Sequence, residues 1–293
     1  MSAAAPAAAV TAAGARLMLA AAAAFAGMTA AAKLLGARLP LFEIVFVRAA
    51  FSTLATLWLL RRAGEPVLGS RRPLLWLRGL FGFCGLSCSF YAVIHLPLAE
   101  ATLLQFTHPL FTVALAALLL GERIERGVLF GLPLSVLGIL AVARPEALFG
   151  GASSLDSFAV GVGLAGAFFA ADAYVSVRHL ARTGEHPLAI VLSFPLVTSV
   201  LSAPLMLQSF VWPSGVEWLW LLAAGAFAQI GQLSLTRGIQ LLPASRATVF
   251  SYTQIVFAAA LGALLFGERP DAWTAAGGAL VLGGAWLASR AAV

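Results

Sequence analysis

The chain is predicted to be an all-α, polytopic membrane protein with ten transmembrane helices built from two inverted five-helix repeats. Three observations predict it. Of 293 residues, 61% are hydrophobic and 10% charged, where soluble domains hold about 45–50% and about 25%. So few charges cannot cover the surface of a globule. The apolar residues also fall into ten runs of roughly 20, the length that crosses about 30 Å of hydrocarbon as helix. Finally, the two halves match without a gap at an offset of 146 positions. The composition excludes disorder, coiled coil, collagen and a disulfide-rich secreted fold.

Cutting at charges, prolines and glycines places spans at 17–36, 41–60, 74–95, 99–120 and 127–144. The second half follows at 158–180, 188–208, 217–240, 245–266 and 272–290. Residues 1–16 are Ala-rich and lack an initial positive region, so they read as a short disordered tail rather than a secretory signal. Span three carries Cys84 and Cys88, four apart inside one apolar run, which read as two small packing residues. A helix cannot close a disulfide at that spacing without strain, and two thiols alone make no zinc site. The longest breaks are 61–73 and 145–157, and GGASSLD in the second reads as a flexible join. It divides the chain into domains 1–150 and 151–293, one repeat each.

The net charge of +6 follows from loop arginines rather than from a nucleic-acid surface, because the basic residues punctuate apolar runs. With the N-terminus inside, 13 arginines fall on the inner side and five basic residues on the outer: Lys33, Arg38, Arg48, Arg144 and Arg269. Positive residues accumulate in cytoplasmic loops. The expected placement is a bacterial-type plasma (inner) membrane with both termini cytoplasmic.

At the 146 offset Pro97 falls on Pro243, Ala101 on Ala247, Thr102 on Thr248 and Thr107 on Thr253. Gly121-Glu122-Arg123 falls on Gly267-Glu268-Arg269, then Gly131 meets Gly277 and Gly138 meets Gly284. Scattered Ala or Leu matches arise by chance between apolar segments; a Gly-Glu-Arg triplet and a Pro at one offset do not. Five spans per repeat is an odd number, so the second copy enters the membrane upside down. Inverted repeats put the ligand site near the bilayer midplane and alternate access by rocking one half against the other.

These residues resemble a known family. LPLAEATLLQFTHPLFTVALAALLLGERIERGVLFGLPLSVLGIL and LLPASRATVFSYTQIVFAAALGALLFGERPDAWTAAGGALVLGG are both similar to the second half of an EamA domain of the drug/metabolite transporter superfamily. FEIVFVRAAFSTL, with Arg48 inside the membrane, is similar to that domain's second helix. The resemblance implies a metabolite transporter, and among the members the length and pattern are most like the amino-acid exporters. Where the first copy has Arg48 and Pro109, the second has Phe194 and Ile255, so the halves are not equivalent.

Charges inside spans are candidates for function by default. Arg48 reads either as a cation at the cavity mouth orienting a carboxylate or as a structural pair. Asp172, with Ser176 and His179 on its face, reads as a partner for a substrate amine, as a proton carrier, or as the neutraliser of Arg48. Spans four and nine supply facing positions: Gln105 and His108 on one, Ser251 and Gln254 on the other, with His108 and Gln254 repeat mates. Pro109 frees a backbone carbonyl near Gln105. Gln229 and Gln232, on one stripe with Thr236 and Gln240, read as a wetted wall. Tyr91, Tyr252 and the phenylalanines Phe83, Phe90 and Phe106 are the aromatic candidates. The Glu-Arg pairs at 122–123 and 268–269 read as local caps, and Gly131, Gly138, Gly277 and Gly284 as close helix contacts.

No nucleophile elbow, zincin, P-loop or Rossmann motif is present, so no enzyme activity, cofactor or metal is expected. Transport must then run on a gradient. The expected partners are a small-molecule substrate and the lipid bilayer, not nucleic acid, with monomer and homodimer both open. The best reading is a secondary exporter of small metabolites, aromatic or large apolar amino acids first. A multidrug or nucleotide-sugar exporter is the runner-up, and an intramembrane enzyme is the reading from another class.

Overall fold

The structure is a computed structural model that describes residues 4–64, 69–108, 111–112, 114–115, 118, 126–143, 155–241 and 253–290. Among the described residues ten helices carry it: α1 Ala4–Gly36, α2 Leu41–Ala63, α3 Arg72–His95, α4 Leu98–Gln105 and α5 Arg126–Ala143 in the first half. The second half has α6 Ser157–Arg182, α7 Pro187–Gln208, α8 Gly215–Leu241, α9 Thr253–Phe266 and α10 Ala272–Arg290. Each lies on one expected span. Six of them, α1, α2, α3, α6, α7 and α8, are long and apolar enough to cross a membrane by themselves, and the chain is a multi-pass membrane protein.

Two expectations are corrected. The alanine-rich start is helical from Ala4 onward, not a disordered tail. Ala has the highest helix propensity, and Pro6 sits in the first turn, where its missing N–H is no loss. The fourth helix does not run unbroken through its apolar stretch: it stops at Gln105, and Phe106 and Thr107 form a turn. Pro109 explains this, since a proline ring clashes with the carbonyl four residues earlier, here that of Gln105.

The turns gather into two sets. Those at 37–40, 96–97, 209–214 and 267–271 meet through Arg38 with Trp212, Lys33 with Leu96 and Glu268, and Glu43 with Val211. Residues 70–71 meet Glu185 at the opposite end. Around these described turns consecutive helices therefore alternate in direction.

The repeat is visible in the packing. α1 packs on α8 and α3 on α6, which are equivalent pairs, and α2 packs on α7, α4 on α9 and α5 on α10. A side chain at Gly79 would meet Val197 at 2.5 Å, and one at Gly225 would meet Phe51 at 2.8 Å. Adding 146 to one member of each pair gives the other pair, 79 to 225 and 51 to 197. The same notch is thus built twice about a two-fold axis. Gly138 and Gly277 face each other so closely that a Cβ on Gly138 would lie 2.6 Å from the Gly277 carbonyl. This bears out the expected role of these two glycines.

The halves are not side-by-side bodies. One buried cluster joins Met28, Ile44 and Phe90 to Leu221 and Ala228, and another joins Leu96, Leu98 and Leu104 to Ala159 and Ala258. Most interior contacts cross between repeats.

Candidate functional site

Helices α2 and α7 are repeat equivalents, enter from opposite ends, and touch. Arg48 lies seven residues past Leu41, and Phe194 seven past Pro187, so each is about 10 Å from opposite ends of the bundle. Their side chains nevertheless meet: the Arg48 guanidinium carbon sits 5.5 Å from the centre of the Phe194 ring. Thr53 and Ser199, again 146 apart, lie with hydroxyl oxygens 3.4 Å from each other. Contact between equivalent residues places the axis between them, midway through the bundle.

Arg48 is 4% exposed. Its Nε donates to Met28 Sδ at 3.3 Å, and its guanidinium lies over Phe90 as well, 5.8 Å from the ring centre. No carboxylate among the described residues reaches it. Among the described residues neither a carboxylate nor a helix-end carbonyl pairs with it; the cation rests on sulfur and ring faces. Arg78 adds a second guanidinium, 5.2 Å from the centre of the same Phe194 ring. Gly82 makes room, since a Cβ there would meet the ring at 2.5 Å and Arg78 Nη1 at 2.7 Å.

Asp172 on α6 is 9% exposed. No described residue gives it a hydrogen bond or an ion pair, so it does not neutralise Arg48. Its neighbour one turn on, Ser176, is buried, whereas His179 is exposed. Glu43, the acid of span two, is fully buried, with Oε2 accepting the Val211 amide at 3.1 Å.

The broken end of α4 is organised by its own side chains. The carbonyl that Pro109 leaves without its helical partner, that of Gln105, lies 2.9 Å from His108 Nδ1, which donates to it. Thr107 Oγ1 donates to the Leu104 carbonyl at 2.7 Å and Thr112 Oγ1 to that of His108 at 2.8 Å. Gln105 and His108 are half-buried, and Gln254 on the packed α9 is 8% exposed. Their neighbours Ser251 and Tyr252 lie outside the described residues.

Tyr91 stacks on His95, 4.0 Å between ring centres, and meets Phe158 edge-on. It thus belongs to an aromatic cluster near the Lys33 end of the bundle. Gln229 is half-buried and Gln232, three residues on, exposed; the side chains of Thr236 and Gln240 lie outside the described residues. Cys84 and Cys88 are free thiols. Glu268 corrects another expectation, for it makes no local cap. It pairs with Lys33 at 2.6 Å and accepts the Leu98 amide at 2.7 Å, contacts 235 and 170 positions away; Glu122 lies outside the described residues. The sequence reading did not name Phe194 or Arg78 as site residues, although Phe194 stands at the repeat position of Arg48 and that offset was the available signal.

Helices in two inverted copies, with Arg48 buried at their axis and Asp172 buried on α6, fit a multi-pass membrane transporter. The chain belongs to the EamA-like transporter family, whose pattern matches twice, at residues 12–144 and 157–290. It is 41% identical to the pseudopaline exporter CntI of Pseudomonas aeruginosa over 259 residues, covering 88% of this chain and 89% of that one. The S-adenosylmethionine uptake transporter of Rickettsia prowazekii is 26% identical over 85% of this chain and 83% of its own. Human solute carrier family 35 member G1 is 28% identical over 81% and 68%. A solved crystal structure superposes with a TM-score of 0.63 at 25% identity, covering 92% of this chain and 96% of that one. None of these three relatives is named as an aromatic amino-acid exporter.

Proposed function

We propose that the protein is a secondary exporter of small amino-acid-like metabolites that carry both a carboxylate and an ammonium group. One observation carries this reading. Arg48 and Asp172 are opposite charges, each more than nine-tenths buried, and no described residue, nor either of them to the other, supplies a counter-charge. A buried lone charge costs several kcal/mol, and leaving two of opposite sign unpaired makes sense where a ligand brings the counter-charges. Arg48, backed by Arg78 across the Phe194 ring, takes the anion; Asp172 takes the cation. Gln105, His108, Gln229 and Gln254 share the neutral hydrogen bonds. The chain spans a bacterial-type plasma membrane with both termini in the cytoplasm, so the Lys33 end faces out. Access alternates between the two ends, and the energy comes from a gradient.

Counterflow in proteoliposomes tests the substrate class, using labelled amino acids, their decarboxylated and N-acylated analogues, and pseudopaline. The free zwitterion should compete best, as each analogue leaves one buried protein charge unpaired. Arg48→Gln should weaken the parent amino acid more than its decarboxylated form, and Asp172→Asn should weaken it more than its N-acylated form. Equal competition by all three would replace this reading with an unselective apolar cavity and the multidrug one.

A further inference from the structure

Among the described residues several polar contacts join the two repeats at the ends of the bundle, Glu43 with the Val211 amide and Glu100 with Thr274 among them, and three others are not alike. At one end Arg38 binds Glu217 and donates to the Trp212 carbonyl at 3.1 Å. At the other, Glu185 accepts the Arg71 amide at 2.7 Å and the Ser70 amide and hydroxyl at 3.2 Å each. Position 71 corresponds to 217 at the 146 offset, and 38 to 184, the residue next to Glu185, so the two clips lie at neighbouring rather than identical repeat positions. Both are closed in one structure. They brace the α2–α7 pair at its two ends and do not distinguish one side from the other.

The third contact is an ion pair that also holds a helix amide. Lys33 Nζ binds Glu268 Oε1 at 2.6 Å and the Leu96 carbonyl, and lies 5.3 Å from the centre of the Phe266 ring. Glu268 Oε2 accepts the Leu98 amide at 2.7 Å, so one carboxylate ties the end of α1 to the first turn of α4 and the α9–α10 turn. The two side chains are 14% and 16% exposed. Gly262 keeps the space clear, since a Cβ there would lie 2.6 Å from Glu268 Oε2. At the opposite end the equivalent of Lys33 is His179, which is exposed. The equivalents of Glu268 and Leu98 are Glu122 and Ala244, which lie outside the described residues.

We propose that Lys33, Glu268 and the Leu98 amide form the gate that closes the transport path at the Lys33 end, opening once per cycle while the two clips stay closed. The proposal rests on the alternating-access reading but not on the substrate class. An ion pair suits a gate because its charges regain hydration as they separate, which offsets much of the lost attraction and keeps open and closed states close in free energy. Its carboxylate also holds the amide that begins α4, the helix whose broken end carries Gln105 and His108. Opening therefore releases a helix that lines the site, which a surface ion pair would not do.

The test uses the full-length protein in a background with Cys84→Ala and Cys88→Ala. Lys33→Cys/Glu268→Cys, joined by a short thiol-cleavable crosslinker, should stop counterflow of the labelled amino acids, and reduction should restore it. Arg38→Cys/Glu217→Cys joined in the same way should transport at the uncrosslinked rate. Hydrogen exchange gives a second readout that needs no substrate. Lys33→Glu and Glu268→Lys singly should speed exchange of the Leu98–Thr102 amides about tenfold, as expected when a hydrogen bond to a charged group is lost. The combined charge swap should reverse most of that change, and the Ser70–Leu75 amides should not respond. Transport that continues through the crosslinked gate, exchange unchanged at the Lys33 end, or exchange faster at both ends alike would overturn the gate. If no labelled compound is moved before crosslinking, the substrate reading falls and exchange alone decides the gate.

Discussion

His108 shows how one side chain can serve both fold and site. Its Nδ1 occupies the Gln105 carbonyl that Pro109 strips of a helical donor. Replacing it with Leu leaves that carbonyl unpaired inside the membrane, at a cost of about 1–3 kcal/mol. His108→Leu should therefore lower the melting temperature in detergent, and His108→Asn, which keeps a donor, should recover part of it. Equal melting of the two variants would show that the ring does not hold the break. The same residue illustrates what can be read without coordinates. The freed carbonyl and a nearby side chain to satisfy it follow from Pro109 and helix geometry alone. That the side chain is His108 itself, rather than the ligand, depends on the turn at Phe106–Thr107.

Between helices, contact distance decides tolerance. A Cβ on Gly138 would meet the Gly277 carbonyl at 2.6 Å and the Val281 amide at 2.7 Å, and backbone atoms cannot swing aside. Gly138→Ala should destabilise by about 1–3 kcal/mol, as overpacking does. Gly161→Ala, with nothing within 4 Å, should not; thermal melting of both variants checks the difference. At the α2–α3 turn, the Arg71 amide foremost, then those of His186 and Ser70, hold the Glu185 carboxyl below its ordinary value. A depressed carboxylate contributes stability that is complete above the unfolded value, about 4.3. That contribution is lost as pH falls through the lower folded value. The melting-temperature gap between wild type and Glu185→Gln should thus be constant from pH 7 to about 5 and close below about 4. A gap independent of pH would mean that the clip is not the ionised form.

For the whole molecule, the sharpest expectation is sidedness. In the cysteine-free background, Ser157→Cys should react with a membrane-impermeant maleimide in intact cells, and Ala63→Cys should react only after permeabilisation. Both positions are exposed, so access depends on the membrane alone; the reverse pattern would invert the outward placement of the Lys33 end. The chain by itself determined the membrane, the ten helices and the inverted repeat. Each rests on local or additive quantities: apolar content, run length and identity at one offset. It also singled out Arg48 and Asp172, because a charge in an apolar run is visible without coordinates. Which groups answer those charges was decided only by the tertiary structure. Arg48 meets Phe194 and Met28 rather than an acid, and Glu268 reaches Lys33 rather than its own helix end. Such partners come from interlocking two inverted halves around an axis. Residues 146 or 235 positions apart then become neighbours through packing that no local pattern encodes.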